Sequence, residues 1–459
     1  RARGESGRRH LRYRGSQRQS AGYSAQEVSW PRGTCWLIAV LIAVPALAGR
    51  CPARSEALVT GVFCQPDAPY ELHYALLSLP EQAVELAFAP LAAVVMVWER
   101  YRVVSRISDL LQNDAGTVVF TPGIDVFSSD GFSGGGSLSL ISLAGQEERF
   151  DLGVVARLNG EVEADFHYEQ PLAAVDGRRI QVDLEYLLDL NAPWYGYGQS
   201  IASDERALRY RSLVGEVSFD LGRRGVLDLS GMIKASFRRE TISGGSDPSI
   251  PAAGSDTDVR LPPGFGRTTH FPGVALSFQY DSRDSAGNPT RGIVARIEAD
   301  VTHDVDGAQL SGLGLGGSFT GFIPVLADKR SLQLTVGGRG TTALNGGHEV
   351  PFHQLTVLGR KNHLRGFSRS RFRERHGWWA TMEYRYPIYE YLDTGIGGTI
   401  GVFVDIGRVG AQLDDLFEHG PRISGGVVLR AAHDTERVFD LGLGFSREGP
   451  EIILTVGAL

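Results

Sequence analysis

Lysine is almost missing from this chain: Lys234, Lys329 and Lys361 are the only ones among 46 basic residues. Its cationic chemistry is therefore that of guanidinium, which is planar, permanently charged and able to grip a carboxylate through two N–H groups. Cysteine and methionine are as scarce, with three of each, too few thiols to join the scattered histidines in a metal site. Nowhere does the sequence hold the run of about 20 apolar residues that a membrane-crossing helix needs. The two longest candidates are Trp36 to Ala48 and Ala83 to Trp98, and the second is broken by Glu85 and Pro90. What is abundant is glycine, at 58 residues, spread singly among Val, Leu, Ile, Phe and Tyr without a collagen period. That pattern suits strands, turns and close backbone contacts and excludes an all-helical fold.

The charge is uneven. The first 48 residues carry +6, leaving −13 on the remainder of a chain whose total is −7. Their apolar run closes on Ala46-Leu47-Ala48, the length and small-residue end of a secretory signal, so residues 1–48 read as a basic lead plus signal peptide. An exported, acidic chain has no expected nucleic-acid partner. Cys51 and Cys64 follow the signal, and the sequence leaves open whether they pair.

Residues 49–114 hold Leu, Ala, Val and Glu with little glycine between Ala75 and Leu111, which predicts a helical segment at the periplasmic side or the membrane interface. From Ala115 the period changes to two. In Ile180 to Leu190 the residues Ile180, Val182, Leu184, Tyr186, Leu188 and Leu190 share one face, while Gln181, Asp183, Glu185 and Asp189 take the other. The same alternation recurs in Leu227 to Phe237, Val274 to Asp281, Ile293 to Val301, Leu332 to Gly338, Ala380 to Ile388, Ile400 to Ile406 and Phe439 to Phe445, with charge expected on the polar face alone. Residues 115–459 form one unbroken series, too long for a single sandwich. At roughly 21 residues per strand and connection they give about 16 strands, and a membrane needs such strands closed because lipid offers the backbone no partner. The predicted fold is all-β: a 16-stranded antiparallel transmembrane β-barrel behind a short helical segment. Aromatic residues near strand ends (Trp194, Tyr195, Trp378, Trp379, Tyr384, Tyr386, Tyr389) read as interface belts, and Ser243 to Gly266 as an outer loop.

Parity puts Glu383 and Arg385 on the water-filled face of one strand and Phe403 and Asp405 on that of the next. The loop before them offers Leu364-Arg365-Gly366-Phe367, and a guanidinium can bridge two carboxylates; three unrelated lumen charges would read the same way. Here the residues resemble a known family. Arg365-Gly366-Phe367 is similar to the loop motif of the BamA/TamA-like outer-membrane assembly factors, the bacterial surface antigen barrels. Glu383 with Pro387, and Phe403, Asp405 and Gly407, resemble the strand motifs that receive that arginine. Tyr280 to Gly292 is similar to the same family's strand–turn–strand unit.

The resemblance implies an outer-membrane barrel of a Gram-negative-type bacterium whose first and last strands meet at a weak seam. It also implies that Arg365, Gly366, Phe367, Glu383 and Asp405 lock a loop inside the barrel, and that the protein assists insertion or translocation of client membrane proteins. The implied partners are outer-membrane lipid, clients and a periplasmic or lipoprotein partner. Members that handle clients carry polypeptide-transport-associated domains before the barrel, and residues 49–114 match none. A passive pore, or a barrel that only anchors the helical segment, is the competing expectation.

No enzymatic reading competes well. Gly131-Phe-Ser133-Gly-Gly135 matches the G-x-S-x-G pattern, but a nucleophile elbow needs a helix after the turn, and Ser137 to Leu143 alternates as a strand. Gly312 to Gly317 matches a dinucleotide fingerprint with nothing helical behind it. His303, His348, His353, His363, His376 and His433 lack metal-ligand spacing, so no catalytic residue, cofactor or metal is expected.

Overall fold

The computed structural model describes residues 111–456, apart from 114, 126–132, 143–144, 146, 173–177, 200–204, 223–228, 256–258, 286, 326, 361, 392–395, 419 and 434–435. The lead and signal at 1–48, Cys51, Cys64 and nearly all of the segment 49–114 lie outside the described residues.

Eighteen strands follow in chain order: β1 (Val118–Asp125), β2 (Ser133–Ile141), β3 (Arg149–Arg157), β4 (Glu161–Pro171), β5 (Arg178–Trp194), β6 (Arg206–Leu221), β7 (Leu229–Gly244), β8 (Thr268–Asp281), β9 (Gly292–His303), β10 (Ser311–Val325), β11 (Ala327–Ala343), β12 (Thr356–Leu358), β13 (Phe372–Glu374), β14 (His376–Tyr391), β15 (Ile396–Gly410), β16 (Arg422–His433), β17 (Glu436–Ser446) and β18 (Gly449–Val456). Sixteen of them form a single antiparallel sheet in the order of the sequence, running from β1 to β18 and skipping only β12 and β13, which pair with each other. Except at β11 and β14, which the connection 344–375 joins, every neighbour in the sheet is the next strand along the chain, the topology that lets an alternating sequence satisfy its backbone step by step.

The two faces differ as the alternation requires. One displays large apolar side chains to the surroundings, among them Phe237 at 51%, Val217 at 53% and Ile297 at 62% exposure. The other collects Asp189, Glu240, Glu383, Arg385, Asp405 and Arg430, all buried. This polar face is concave. Gln199, just past β5, donates to the Gly407 carbonyl of β15 at 3.3 Å, although eight strand positions separate β5 from β15 in the sheet. Only a sheet curled with its polar face inward brings those strands together.

Small residues on the inner face make room for charged ones. Gly312, Gly314 and Gly316 on β10 are not a dinucleotide loop but an inner row. A Cβ on Gly314 would stand 2.6 Å from both Arg339 Nη2 and Asp300 Oδ1, which are themselves paired at 2.6 Å. Ser133 likewise opens strand β2, which continues as a strand to Ile141, so no strand–turn–helix elbow forms at that serine.

Two expectations need correction. Trp194 is not an interface aromatic: it is 1% exposed and packs inward with Leu208, Tyr210, Ile242 and Phe352. Trp379 also turns inward, with His363 stacked on it at 4.1 Å. Tyrosine and tryptophan bodies near strand ends serve equally well to line an interior loop, and parity at Trp194 follows a register shift between Asp189 and Ala192 that the sequence does not announce. The side chain of Tyr389 lies outside the described residues. Nor is the outward face free of charge, because Arg209, Arg211 and Arg239 are exposed on it.

The inner row of β10 is testable. Gly314→Val should drive methyl groups into the Arg339–Asp300 pair and lower the unfolding temperature in detergent, while outward Leu313→Val should leave it nearly unchanged. Equal behaviour of the two variants would refute the assigned faces.

Candidate functional site

Strands β14 and β15 run in register with Thr381 opposite Asp405 and Glu383 opposite Phe403. Alternation therefore places Thr381, Glu383, Asp405 and Phe403 on the inner face at adjacent heights. Between β11 and β14 the chain leaves the sheet, makes a 3-10 turn at Phe352–Gln354 and the small hairpin β12–β13, and folds back over that face. Leu358, Leu364, Phe367 and Phe372 bury themselves there with Trp379 and Val409. Each fully buried side chain of this size contributes about 1.5–3 kcal/mol, so the loop is seated by apolar contact as well as by charge.

Arg365 lies at the centre of this contact. Its Nε and Nη2 donate to the two oxygens of Asp405 at 2.9 and 2.8 Å, and its backbone N–H reaches Asp405 Oδ2 at 3.0 Å. Its Nη1 donates to Glu383 Oε2 at 2.6 Å, and the guanidinium lies 3.6 Å above the centre of the Phe403 ring. Asp405 is fully buried and also accepts the Thr381 hydroxyl at 2.9 Å. Burial opposes the charge on Arg365, yet its hydrogen bonds to Asp405 and the nearby Glu383 outweigh it and raise the guanidinium above its ordinary value.

Around this bridge the structure brings in Arg385, already placed beside Glu383 by parity, and Arg430 and Asp440, which sequence reasoning missed. Glu383 Oε1 accepts from Arg385 Nε at 2.9 Å and from Arg430 Nη1 at 2.6 Å, and Arg430 Nε donates to Asp440 Oδ1 at 2.9 Å. The cluster thus holds three arginines, 365, 385 and 430, against three carboxylates, 383, 405 and 440. Arg430 and Asp440 are direct cross-strand partners on β16 and β17. Their strand parity was readable in the sequence; their height relative to Glu383 was not.

Gly366 and Phe367 take different parts. Phe367 is 1% exposed and meets Phe372 edge to face at 5.0 Å. Gly366 rests backbone against backbone on β17: a Cβ there would lie 2.7 Å from the Phe445 carbonyl oxygen, and a Cβ on Gly444 would lie 2.8 Å from Gly366 Cα. The close approach lets the Gly366 N–H reach Ser424 Oγ at 3.3 Å.

The same loop is tied to other strands. Arg369 Nη1 meets Glu161 on β4 at 2.6 Å and Asp189 on β5 at 3.6 Å. Glu451 on β18 accepts from Arg360 at 3.2 Å and from Ser368 at 2.7 Å, and Arg371 meets Glu448 at 2.8 Å. Farther along, Phe352 wedges between Trp194 and Tyr210, and His353 Nδ1 contacts Glu240 at 2.7 Å. The arrangement can hold a loop and neutralise charge. Among the described residues no group of three or more His, Cys, Asp or Glu side chains is placed to bind a metal.

A family model described as the Omp85 superfamily domain matches residues 150–435. Among solved structures, BamA from Haemophilus ducreyi lacking POTRA domains 1-3 is similar with a TM-score of 0.55 and 17% identity, over 74% of this chain and 70% of that one. CdiB from Escherichia coli has a TM-score of 0.49 and 11% identity, over 74% of this chain and 61% of that one. CdiB from Acinetobacter baumannii has a TM-score of 0.43 and 12% identity, over 73% of this chain and 57% of that one. This chain therefore spans less than two thirds of either CdiB. No curated protein matches the sequence.

Removing Arg365 leaves Asp405 buried with the Thr381 hydroxyl but without its cation. Arg365→Ala should therefore cost about 3–5 kcal/mol in unfolding experiments. In the double variant Arg365→Ala/Asp405→Ala the loss should be smaller than the sum of the single losses. Additive losses, or unchanged heat resistance on unboiled gels, would show that the pair contributes nothing of its own.

Proposed function

Since this chain belongs to the Omp85 superfamily, whose members are non-enzymatic assembly and transport barrels of the Gram-negative outer membrane, we propose that its sheet closes as a 16-stranded barrel and assists the insertion or translocation of client proteins. In this reading β1 and β18 meet at a seam that opens sideways, and Arg365 with Glu383 and Asp405 locks the loop within the lumen.

The observation that carries the proposal is the gradient of strand length toward the two ends of the sheet. Among the described residues, strands β5 and β11 have 17 residues each, whereas β1 and β18 have eight each. A seam between such strands has the fewest backbone hydrogen bonds to break, so lateral opening costs less there than anywhere else in the wall. The curl of the sheet supports closure, and the apolar outer face supports a lipid surround. Clients, and periplasmic or lipoprotein partners, are the ones that superfamily members work with in general.

A passive pore is less well supported. The loop lies against the inner face of the curled sheet, with Phe352, Val350 and Leu355 packed on Trp194, Tyr210 and Ile242 from β5, β6 and β7. A channel there would have to pass that apolar cluster and the ion pairs that tie the loop to the wall.

Two measurements test the proposal together. In planar bilayers the full chain should carry little current, and deletion of residues 344–371 should open a steady conductance proportional to salt. In liposomes the full chain should speed the folding of a test outer-membrane barrel. A large steady current from the intact chain, with no acceleration of folding, would favour the pore and overturn the assembly reading.

A further inference from the structure

The outward face of the sheet carries three arginines in one place. Arg209 and Arg211 lie on β6 and Arg239 on β7, all exposed, with Leu208, Tyr210 and Glu240 of opposite parity buried on the inner side. Register sets Arg211 opposite Thr241 and Arg239 opposite Leu213, so Arg211 and Arg239 are diagonal neighbours, their Cα atoms roughly 7–8 Å apart. On the same face, below them, stand Leu213, Phe237 and Val217, each 44–53% exposed, which continue as the apolar outer surface.

No carboxylate of these strands shares their side. None of the three is in an ion pair among the described residues. Alternation sends every carboxylate of β4, β5, β6, β7 and β9 to the inner face. One acid stands nearby: Asp306, which accepts the His270 N–H at 2.6 Å and its ring nitrogen at 3.0 Å, with His270 directly opposite Arg239. A clustered triple charge beside hydrocarbon is costly unless an anion arrives from outside.

The position of the cluster says where that anion comes from. It sits at the end of β6 and β7 from which the long connections 195–205, 245–267 and 344–375 depart, whereas the connections 222–228 and 434–435 at the other end are short. Long connections mark the outer side of an outer-membrane sheet. We propose that Arg209, Arg211 and Arg239 form a docking site for a phosphate-bearing lipid of the outer leaflet. The guanidinium forks take the phosphates, the Thr241 and Thr268 hydroxyls stand in the same row 2.9 Å apart, and the acyl chains lie along Phe237, Leu213 and Val217. The inference rests on the strands spanning the outer membrane, as proposed above.

The test uses the full chain in nanodiscs of phosphatidylcholine, with or without a minor fraction of diphosphorylated lipid A. Bound lipid is read by native mass spectrometry, alongside the lipid-dependent rise in unfolding temperature. Wild type should retain lipid A in preference to phosphatidylcholine, and Arg209→Gln/Arg211→Gln/Arg239→Gln should lose roughly a hundredfold in affinity. Arg330→Gln, a single charge removal near the opposite end of the sheet, should bind as wild type does, and Arg211→Gln and Arg239→Gln alone should fall between if the triple variant folds poorly. Undiminished retention by the triple variant, an equal loss in Arg330→Gln, or equal protection by inorganic phosphate alone would overturn the proposal. Its failure is separable from that of the membrane reading, because a chain that does not span the bilayer would stay monodisperse without detergent or lipid.

Discussion

A sheet whose outer surface meets hydrocarbon can place its acidic side chains only on the other face, and this constraint organises the molecule. Carboxylates from six or more strands converge on a concave interior, where they need cations close by and geometrically matched. Arginine meets that need better than lysine, because one guanidinium satisfies two acids in fixed directions. The near absence of lysine from the sequence and the Arg365–Glu383–Asp405 bridge express one requirement at two levels. With Arg385, Arg430 and Asp440 the cluster balances three positive against three negative charges, so the interior around the loop is crowded with ions yet locally neutral.

Neutrality explains why the loop belongs inside. Asp405 has the Thr381 hydroxyl on the wall, but no wall arginine donates to it among the described residues; the cation comes from the loop. Glu383, by contrast, has two wall arginines and shares itself with a third from the loop. The loop is therefore required on the β15 side and merely assisted on the β14 side. Its remaining attachments spread outward, through Arg369 to β4 and through Arg360 and Ser368 to β18, so that one segment touches both halves of the sheet.

Much of this was legible in the chain. Alternation from residue 115 onward gives the strands their faces, and the spacing of Glu383, Phe403 and Asp405 alone puts those side chains on the inner side. What alternation cannot supply is height. Arg430 and Asp440 lie 47 and 57 residues beyond Glu383, and only the ladders from β14 to β17 bring them level with it. Trp194 misled for a related reason: a register shift upstream and a loop from far along the chain decide which way it points. Charge on the outward face was equally hidden, since Arg209 and Arg211 interrupt an otherwise apolar row near the end of β6.

The seat of Gly366 on Gly444 carries a consequence for biogenesis. That contact involves peptide backbone from β17, the penultimate strand, and the neighbouring Ser424 belongs to β16. A nascent chain exported only as far as β15 would present Asp405 with its arginine but offer nothing for Gly366 to rest on. The seat of Gly366 can therefore form only once β16 and β17 have joined the sheet.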